Sequence, residues 1–300
     1  MKIVVLSDIH GNIPALQTAI EDIDRWRPDQ VVVNGDVVNR GPCSAVCLDI
    51  ILEKQAKDGW HLLRGNHEDF ILHCATIEDA EQQPDFELNQ FAHWAYRQIG
   101  AKKVAHFKDW GEVFSWLAPD GSEFRTTHAA MGNNRKGIFQ RMSDEEIEPL
   151  ITPPPAVFVT SHTHEPLMRD INSAQVVNIG SIGASFDRDR RLCYGRFTYT
   201  KAKGWQSELR RLEYDYAQIE RDYVDSGFLT EAGVFSQLML IEHRRAGGLF
   251  FRWAKRYIKQ VEAGEATVAD TVRELLKDED LRPYLGAPGW SFEMLSSSNY

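Results

Sequence analysis

Aspartate, asparagine and histidine residues occur in short clusters, each placed directly after a run of apolar residues. The clusters are Asp8 with His10, Asp36, Asn66 with His67, and His162 with His164. Carboxylate, imidazole and carboxamide groups are ligands for ions such as Mn, Fe or Zn, and a carboxylate can also bridge two ions. Because alternate residues of an extended or turning backbone share a direction, the Asp-x-His and His-x-His pairs can each serve one site. The spacing therefore predicts a metal pair, the arrangement that two-metal phosphate hydrolysis requires.

The apolar runs that precede these clusters are predicted to be strands of one sheet. Residues 3–7, 31–34 and 61–64 are short runs typical of buried parallel strands, and 13–26 and 42–57 between them are predicted helices. This β-α-β-α-β order predicts an α/β fold in which helices pack on a largely parallel sheet. Ligands bind beyond the carboxyl ends of the strands in such sheets, so the clusters are expected to converge at one edge.

Further strand patterns follow in the second part of this region. They are a hairpin of 113–118 and 123–127 around a Pro-Asp-Gly turn, single strands at 157–160 and 175–178, and a closing hairpin of 194–200 and 207–214. The strand 157–160 ends just before His162, so that His162 and His164 should join the same sheet edge. His128 follows the first hairpin and completes the candidate set, with His106 as a distant competitor.

The composition changes near residue 215, beyond which helical patterns predominate. The predicted helices are 227–230, 232–245, 249–261 and 267–276, and the stretch from 285 to 300 is loop-like. We therefore divide the chain into a region 1–215, which carries the chemistry, and a helical C-terminal extension, 216–300. Residues 76–110 are acidic, contain aromatic residues and are expected to be helical. They form either a cap over the site or a surface helix pair with a buried aromatic face.

In order and spacing, these motifs resemble the signature of the calcineurin-like metallophosphoesterases. The motifs are Asp8-x-His10, Gly35-Asp36, Gly65-Asn66-His67-Glu68, His128 and His162-x-His164, and the resemblance covers residues 1–215. It implies an α/β fold in which two sheets form a four-layer α-β-β-α sandwich, followed here by the helical C-terminal region. It also implies two metal ions, one bound by Asp8, His10, Asp36 and His164, the other by the bridging Asp36, Asn66, His128 and His162.

The same resemblance implies a hydrolytic mechanism. Two ions roughly 3.5–4 Å apart can clamp a phosphate and lower the pKa of a bridging water, so that the resulting hydroxide attacks phosphorus. His67 is then the candidate to protonate the leaving oxygen or to stabilise its charge. The guanidinium of Arg40 can hold phosphate oxygens, or it can be a structural salt-bridge partner. Glu68 is expected to support its loop rather than to take part in the chemistry.

One position departs from the protein Ser/Thr phosphatases of this superfamily, which read Gly-Asp-x-x-Asp-Arg-Gly. Asn39 stands at the second Asp, the residue that orients the catalytic histidine, and an amide cannot stabilise an imidazolium by charge. Together with the Asn-Ile-Gly-Ser-Ile-Gly segment at 178–183, this resembles bacterial small-molecule phosphodiesterases and diadenosine tetraphosphate hydrolases. We therefore expect hydrolysis of a phosphodiester or a nucleotide-like small substrate. The alternatives are a protein Ser/Thr phosphatase, a phosphomonoesterase and, in another class, a non-catalytic metal-binding scaffold.

Composition and charge restrict the partners. The net charge of −10 argues against a broad nucleic-acid-binding surface, and the sequence has no run of about 18 apolar residues that would predict a membrane span. The four cysteines form no zinc-site pattern and are expected to be reduced thiols, which favours a cytoplasmic location. The expected partner is a small phosphorylated substrate, with Mn, Fe or Zn as candidate ions. The C-terminal helices could supply specificity, subunit contacts in a homo-oligomer, or packing alone.

Overall fold

The computed structural model describes residues 1–277, which contain two five-stranded sheets. The strands are β1 Lys2–Leu6, β2 Gln30–Asn34, β3 His61–Leu63, β4 Val113–Leu117, β5 Glu123–Thr127, β6 Val157–Thr160, β7 Leu167–Ile171, β8 Ala174–Asn178, β9 Leu192–Thr200 and β10 Gly204–Leu212. The first sheet has the order β10-β9-β1-β2-β3 and the second has the order β4-β5-β6-β8-β7.

Both sheets are mixed, with a parallel set of three strands in each. Strands β1, β2 and β3 are parallel in the first sheet, and β5, β6 and β8 are parallel in the second. Strands β9 and β10 in the first sheet, and β4 and β7 in the second, are added antiparallel. The sequence order of β1 to β3 predicts the parallel part correctly, and the predicted hairpins β4-β5 and β9-β10 are antiparallel pairs. Strand β7, which pairs antiparallel with β8, is not predicted by the sequence.

The central strands are buried on both faces, which explains their continuous apolar runs. In β1, Ile3 and Val5 belong to the core between the two sheets, together with Phe124 of the second sheet. Val4 and Leu6 point the other way, into the core beneath the helices, because successive side chains of a strand alternate between faces. The outer face of the second sheet is covered by a third apolar cluster. The two sheets flanked by helical layers confirm the predicted α/β sandwich.

The helices alternate with the strands in the first part of the chain and predominate after β10. They are α1 Ile13–Trp26, α2 Ser44–Asp58, α3 Asn66–Cys74, α4 Phe86–Ile99, α5 Ala101–Val104, α6 Asp144–Ile147, α7 Tyr216–Asp225, α8 Phe228–Glu231, α9 Phe235–Arg245, α10 Phe250–Glu262 and α11 Val268–Lys277. Helix α1 begins as the sequence predicts, because the side chain of Asn12 accepts a hydrogen bond from Ala15 N and Pro14 lies in the first turn. No helix within residues 1–277 is long and apolar enough to cross a membrane.

The C-terminal helices share a hydrophobic core with α4 and the first sheet. The ring of Trp94 in α4 contacts Phe228 edge-on at 5.0 Å, and Trp94 Nε1 donates to Glu231 at 3.1 Å. Phe91 of the same helix contacts Phe235 at 6.2 Å. Residues 76–110 therefore have the buried aromatic face that was one of the two alternatives. The division of the chain at residue 215 stays a prediction, and the stretch from 285 to 300 lies outside the described residues.

Strand β7 and helix α7 are among the elements absent from the sequence-based prediction. Strand β7 exposes Met168 and Asp170, on either side of Arg169, so it lacks the apolar run of a buried strand. Helix α7 buries only Ile219 and Tyr223, which are one helical turn apart, so its apolar stripe is too narrow to predict a helix from periodicity. Both elements lie at the surface of the sandwich, where the sequence has least apolar signal.

Candidate metal centre

The predicted clusters meet beyond the carboxyl ends of β1, β2, β3 and β6, as the α/β arrangement requires. Several of these residues adopt left-handed backbone conformations that are uncommon outside glycine. The residues and their φ angles are Asp8 (54°), His10 (47°), Asp36 (55°), His162 (66°) and His164 (59°). Each strand ends in a sharp turn that directs its polar side chain inward. Such strain persists where the surrounding structure holds it, and it concentrates at functional sites.

One group of side chains lies around Asp8. Oδ1 of Asp8 is 3.2 Å from Nε2 of His164, and Nε2 of His164 is 3.3 Å from Nε2 of His10. Nε2 of His10 is in turn 3.8 Å from Oδ2 of Asp36. All four residues are buried. Their potential ligand atoms therefore converge on one small volume.

A second group lies on the other side of Asp36. Nε2 of His128 is 3.3 Å from Oδ2 of Asp36 and 3.0 Å from Oδ1 of Asn66. Nδ1 of His162 is 2.8 Å from the same amide oxygen of Asn66. His128 therefore lies in this second group, whereas the competing candidate His106 lies elsewhere, in the helical turn Ala105–Asp109. The carboxylate of Asp36 stands between the two groups.

The second nitrogen of three of these histidines is fixed by a backbone carbonyl. Nδ1 of His10 lies 3.2 Å from Asn39 O, Nδ1 of His128 lies 2.7 Å from Asn34 O, and Nδ1 of His164 lies 2.5 Å from Ala184 O. When Nδ1 donates to a carbonyl, Nε2 of the neutral ring is an acceptor. Imidazole nitrogens that can accept therefore lie beside carboxylate oxygens in the site, and a bound cation would compensate these acceptors.

The residues present fit a pair of metal ions. Oδ1 of Asp8 is fully buried and accepts no hydrogen bond from any residue in 1–277. Burial lowers the pKa of His10 and of His162 to about 4, so both rings are neutral and able to bind a metal at neutral pH. Although burial opposes it, the charge of Asp36 raises the pKa of His128 to about 10. A proton on His128 therefore competes with a metal ion for the ligand atoms around Asp36.

Two glycines and Glu68 shape the turns that carry these groups. A Cβ atom at Gly65 would lie 2.1 Å from Oδ1 of Asp36, and one at Gly35 would lie 2.5 Å from the backbone nitrogen of Gly65. No larger residue fits at either position. Oε2 of the buried Glu68 accepts hydrogen bonds from the backbone N–H groups of Asp36 and Gly65, at 2.8 and 2.9 Å. The predicted supporting role of Glu68 is confirmed.

His67, Asn39 and Arg40 lie beside the metal-binding groups. Nδ2 of Asn39 is 3.0 Å from Nδ1 of His67, so the amide contacts the histidine that it was expected to orient. The ring of His67 contacts that of His10 edge-on at 4.9 Å. Burial lowers the pKa of His67 well below its ordinary value, although the charge of Asp36 opposes this. At neutral pH the ring is therefore neutral.

Arg40 makes a contact that the sequence does not reveal. Its Nη2 lies 2.6 Å from Oε2 of Glu242 in α9, and both side chains are largely buried. The guanidinium also stands 5.3 Å from the ring of Phe250 and 5.8 Å from that of Phe186. Arg40 is thus a salt-bridge partner, one of its two expected roles, and it also lines the cavity described next. No motif around Glu242, Phe186 or Phe250 marks them as neighbours of the site.

A cavity of about 820 Å³ opens over the metal-binding groups. One wall contains Asp36, Asn66, His67, His162 and His164. The rest of the lining includes the turn between α9 and α10 together with residues of α4 and α10. The C-terminal helices therefore contribute directly to the space in which a substrate would bind.

Comparisons with known proteins agree with this architecture. The family model of the calcineurin-like phosphoesterases matches residues 1–188. A hypothetical protein of Pyrococcus horikoshii has a similar structure, with a TM-score of 0.66 at 18% identity over 81% of this chain and 98% of that one. A metallophosphoesterase of Sphaerobacter thermophilus gives a TM-score of 0.57 at 20% identity over 76% of this chain and 94% of that one. At these identities the likeness shows a shared fold. No curated protein matches the chain significantly.

The family match covers well over half of the chain and includes β1 to β8 with most of the clustered side chains. His162 and His164, the last of these residues in the sequence, lie inside the matched segment. The fold, the buried acceptor groups and the family model therefore agree. The chain belongs to the calcineurin-like phosphoesterase family, whose members hydrolyse phosphoric esters.

Proposed function

We propose that the chain hydrolyses a phosphodiester or a nucleotide-like small phosphoester with the help of two bound metal ions. The observation that carries the proposal is the convergence of buried acceptors, with Asp8 Oδ1 lacking a donor and with imidazole nitrogens facing each other across 3.3 Å. In this proposal Asp8, His10, Asp36 and His164 hold one ion, and Asp36, Asn66, His128 and His162 hold the other.

The chemistry of the donors indicates which ions suit the site. Imidazole, carboxylate and amide oxygen ligands accept Mn, Fe and Zn, and the availability of the metal decides among them. Bound ions would supply Lewis acidity toward the phosphate and would lower the pKa of a coordinated water. The remaining steps fall to the side chains of the chain itself.

His67 is proposed to donate a hydrogen bond from Nε2 to the leaving oxygen and so to stabilise the negative charge that develops there. When Asn39 donates to Nδ1 across 3.0 Å, the proton of the neutral ring lies on Nε2. The ring lines the cavity and can therefore reach a bound ester. Asn39 fixes the tautomer, but it adds no negative charge beside the ring. Such a donor suits small esters with reactive leaving groups and nucleotide-like substrates.

Arg40 is proposed to place positive charge at the cavity wall. Its salt bridge with Glu242 holds the guanidinium in one orientation, and the flanking rings of Phe186 and Phe250 limit its movement. A guanidinium has five N–H donors, so the contact with Glu242 leaves others for phosphate oxygens. Arg40 would then orient the phosphate rather than react with it.

The remaining expectations concern the setting of the enzyme. All four cysteines are free thiols, which supports a cytoplasmic location. The segments 1–215 and 216–300 are proposed as a catalytic domain and a helical extension that supplies one cavity wall. A small phosphorylated substrate fits the 820 Å³ cavity, whereas a nucleic-acid partner is disfavoured by the net charge of −10.

The test is to strip the purified protein of metals and restore Mn, Fe or Zn one at a time. Turnover of bis(p-nitrophenyl) phosphate, p-nitrophenyl phosphate and dinucleoside polyphosphates is measured, with metal content determined on the same samples. We expect metal-dependent turnover, with the diester or the dinucleotide preferred to the monoester. A preference for the monoester would favour the phosphomonoesterase alternative, and activity on a phosphoprotein alone would favour a protein phosphatase. Metal binding without turnover on any substrate would contradict the proposal and favour a scaffold.

A further inference from the structure

The cavity extends well beyond the metal-binding groups. Its volume of about 820 Å³ is in the range of pockets that hold whole small-molecule ligands, of about 300–1,000 Å³. The far wall is the turn from α9 to α10, with Gly247, Gly248 and Phe250. Five arginines line the cavity, one of them Arg40 in its ion pair with Glu242, against three acidic residues outside the metal-binding groups. Arginine side chains therefore outnumber acidic ones in the lining away from the metals.

Two of these arginines converge on one point of the far wall. A Cβ atom placed on Gly247 would lie 3.2 Å from Nε of Arg245 and 3.5 Å from both Cζ and Nη1 of Arg188. The two guanidinium groups thus approach the same glycine from different segments of the chain. Within residues 1–277 the side chain of Arg188 forms no ion pair. Juxtaposed guanidinium groups at a cavity wall are the arrangement that binds phosphate oxygens.

The backbone fixes this pair relative to the metal centre. Phe186 stacks on His164 with ring centroids 4.4 Å apart, and Phe186 N donates to His164 O at 3.1 Å. Two residues further on, Arg188 N donates to Ala246 O at 2.8 Å. Arg188 and Ala246 both adopt left-handed conformations, with φ of 71° and 47°. The short segment 186–188 therefore contacts both His164, a candidate metal ligand, and the turn between α9 and α10, where Arg188 and Arg245 meet.

The other residues of the far wall suit a ligand that spans the cavity. A Cβ atom at Gly248 would meet the ring of Phe186 at 3.4 Å, so the turn lies directly against that ring. One aromatic ring and one backbone turn consequently separate the arginine pair from His164. Two anionic groups of a bound molecule would need a spacer between them to reach both places.

We propose that Arg188 and Arg245 form a second phosphoryl-binding subsite, so that the substrate carries a second phosphoryl group separated from the scissile one by an organic spacer. This inference rests on the proposed function, because the metal centre defines where the scissile group lies. A phosphoryl group is favoured over a carboxylate because its three terminal oxygens can accept from two guanidinium groups at once. The cavity lining also contains Asp85, Glu165 and Glu262. These carboxylates repel an anion, so we expect the second phosphoryl group to lie beside Arg188 and Arg245.

The experiment compares two matched nucleotides that differ by one phosphate. Adenosine 3′,5′-bisphosphate and adenosine 5′-monophosphate are used as inhibitors of bis(p-nitrophenyl) phosphate turnover by the metal-loaded full chain, and their binding is also measured by calorimetry. In the wild type we expect the bisphosphate to bind about tenfold more tightly, as charge-assisted hydrogen bonds to one phosphate provide. In Arg188→Ala this ratio should fall to about one, and Arg188→Lys, which keeps the charge but loses the planar fork, should give an intermediate ratio.

The matched control is Arg191→Ala. Arg191 lies three positions along the same loop, its guanidinium bonds Asp189, and it does not line the cavity. This variant should keep the wild-type ratio. Equal affinity of the wild type for the two nucleotides, or an unchanged ratio in Arg188→Ala, would overturn the subsite. If the protein has no turnover but calorimetry still shows tighter binding of the bisphosphate than of the monophosphate, the proposed function is wrong and the subsite is supported. The two failures are therefore distinguishable.

Discussion

Two buried networks in this protein are centred on carboxylates, and they are satisfied in opposite ways. Oδ2 of Asp22, in α1, accepts hydrogen bonds from the hydroxyl of Tyr194 at 2.7 Å, from Arg196 at 2.7 Å and from Arg210 at 2.9 Å. Within residues 1–277 the carboxylates of Asp8 and Asp36 have no arginine or lysine partner. Oδ1 of Asp8 accepts no hydrogen bond from these residues, and the nearest side chain is the imidazole of His164, at 3.2 Å.

The difference separates a structural role from a chemical one. The charge of Asp22 is compensated by cations of the chain, so this network is complete on folding and contributes to stability. Asp36 faces the protonatable ring of His128, and Asp8 has no donor at Oδ1 within residues 1–277, so in the proposed function this network is completed when metal binds. Changes in the first network should therefore lower stability and leave the chemistry intact. Changes in the second should abolish the chemistry.

The largest effect is expected for Asp36→Asn. Asp36 lies between both groups of candidate ligands, and an amide cannot bridge two cations by charge. We expect loss of metal binding and a fall in turnover of about a thousandfold, which corresponds to about 4 kcal/mol of transition-state stabilisation. Metal content, turnover of bis(p-nitrophenyl) phosphate and the metal-induced rise in melting temperature are measured together. Asp24→Asn, at an exposed position of α1, is the control. Full activity of Asp36→Asn would remove Asp36 from the metal centre.

Glu242→Gln tests a carboxylate that has a structural role and also holds Arg40 at the cavity wall. Oε2 of Glu242 pairs with Arg40 at 2.6 Å, while Oε1 accepts from the N–H groups of Leu249 and Phe250 at 2.5 and 2.7 Å. Replacing Oε2 with an amide nitrogen would set a donor against the guanidinium. We expect the free energy of unfolding to fall by about 3 kcal/mol, since an uncompensated charge stays buried. Urea unfolding and KM are the measurements.

The control for this change is Glu53→Gln, which removes the same charge from an exposed pair with Lys57. Exposed pairs contribute about 0–1 kcal/mol, so Glu53→Gln should have little effect on stability. KM for a nucleotide-like substrate should rise in Glu242→Gln, because Arg40 and Phe250 both line the cavity. A loss of stability with unchanged KM would make the contact with Arg40 structural only.

His67→Ala should separate stabilisation of the leaving oxygen from metal binding. Because His67 is placed as a hydrogen-bond donor to the leaving oxygen and not as a metal ligand, we expect metal content to be unchanged. Turnover of esters with poor leaving groups, whose leaving oxygen carries the most charge, should fall about a hundredfold, and that of nitrophenyl esters should fall much less. The ratio of the two rates is the readout, with Asn39→Ala expected to move it in the same direction but less. An unchanged ratio in His67→Ala would rule out His67 as the donor to the leaving oxygen.

The sequence predicts the convergence of the candidate ligand groups well because their signal is local. Asp8 and Asp36 each follow an apolar strand directly, and the parallel order of β1, β2 and β3 brings the strand ends together without further information. Residue type and position within a few residues are therefore enough. The same reasoning predicts the supporting Glu68, since it follows the ligand Asn66 in the first turn of α3.

The far wall of the cavity has no comparable signal. Arg40 and Glu242 are 202 residues apart in sequence, and no pattern around Glu242 distinguishes it from other acidic residues of a helix. Arg188 lies in a loop and Arg245 at the end of α9, and they meet only in the folded chain, where Arg188 N donates to Ala246 O. In the proposed function this wall contributes to substrate specificity, so the sequence alone indicates the reaction better than the substrate.

The smallest effect is expected for Asp22→Asn, and its pH dependence completes the comparison. Burial would raise the pKa of Asp22, but hydrogen bonds from Arg210 and Tyr194 and the charge of Arg196 lower it to about 2, from an ordinary value of 3.8. A lowered pKa stabilises the folded state above pH 3.8, and this stabilisation is lost as the pH falls toward 2.

At pH 7 we expect Asp22→Asn to lower the free energy of unfolding by about 2 kcal/mol. The difference from wild type, measured by urea unfolding of metal-free protein, should shrink as the pH falls below 3.8, and turnover at pH 7 should be unchanged. A difference that persists undiminished at low pH would mean that Asp22 acts by packing and not by charge.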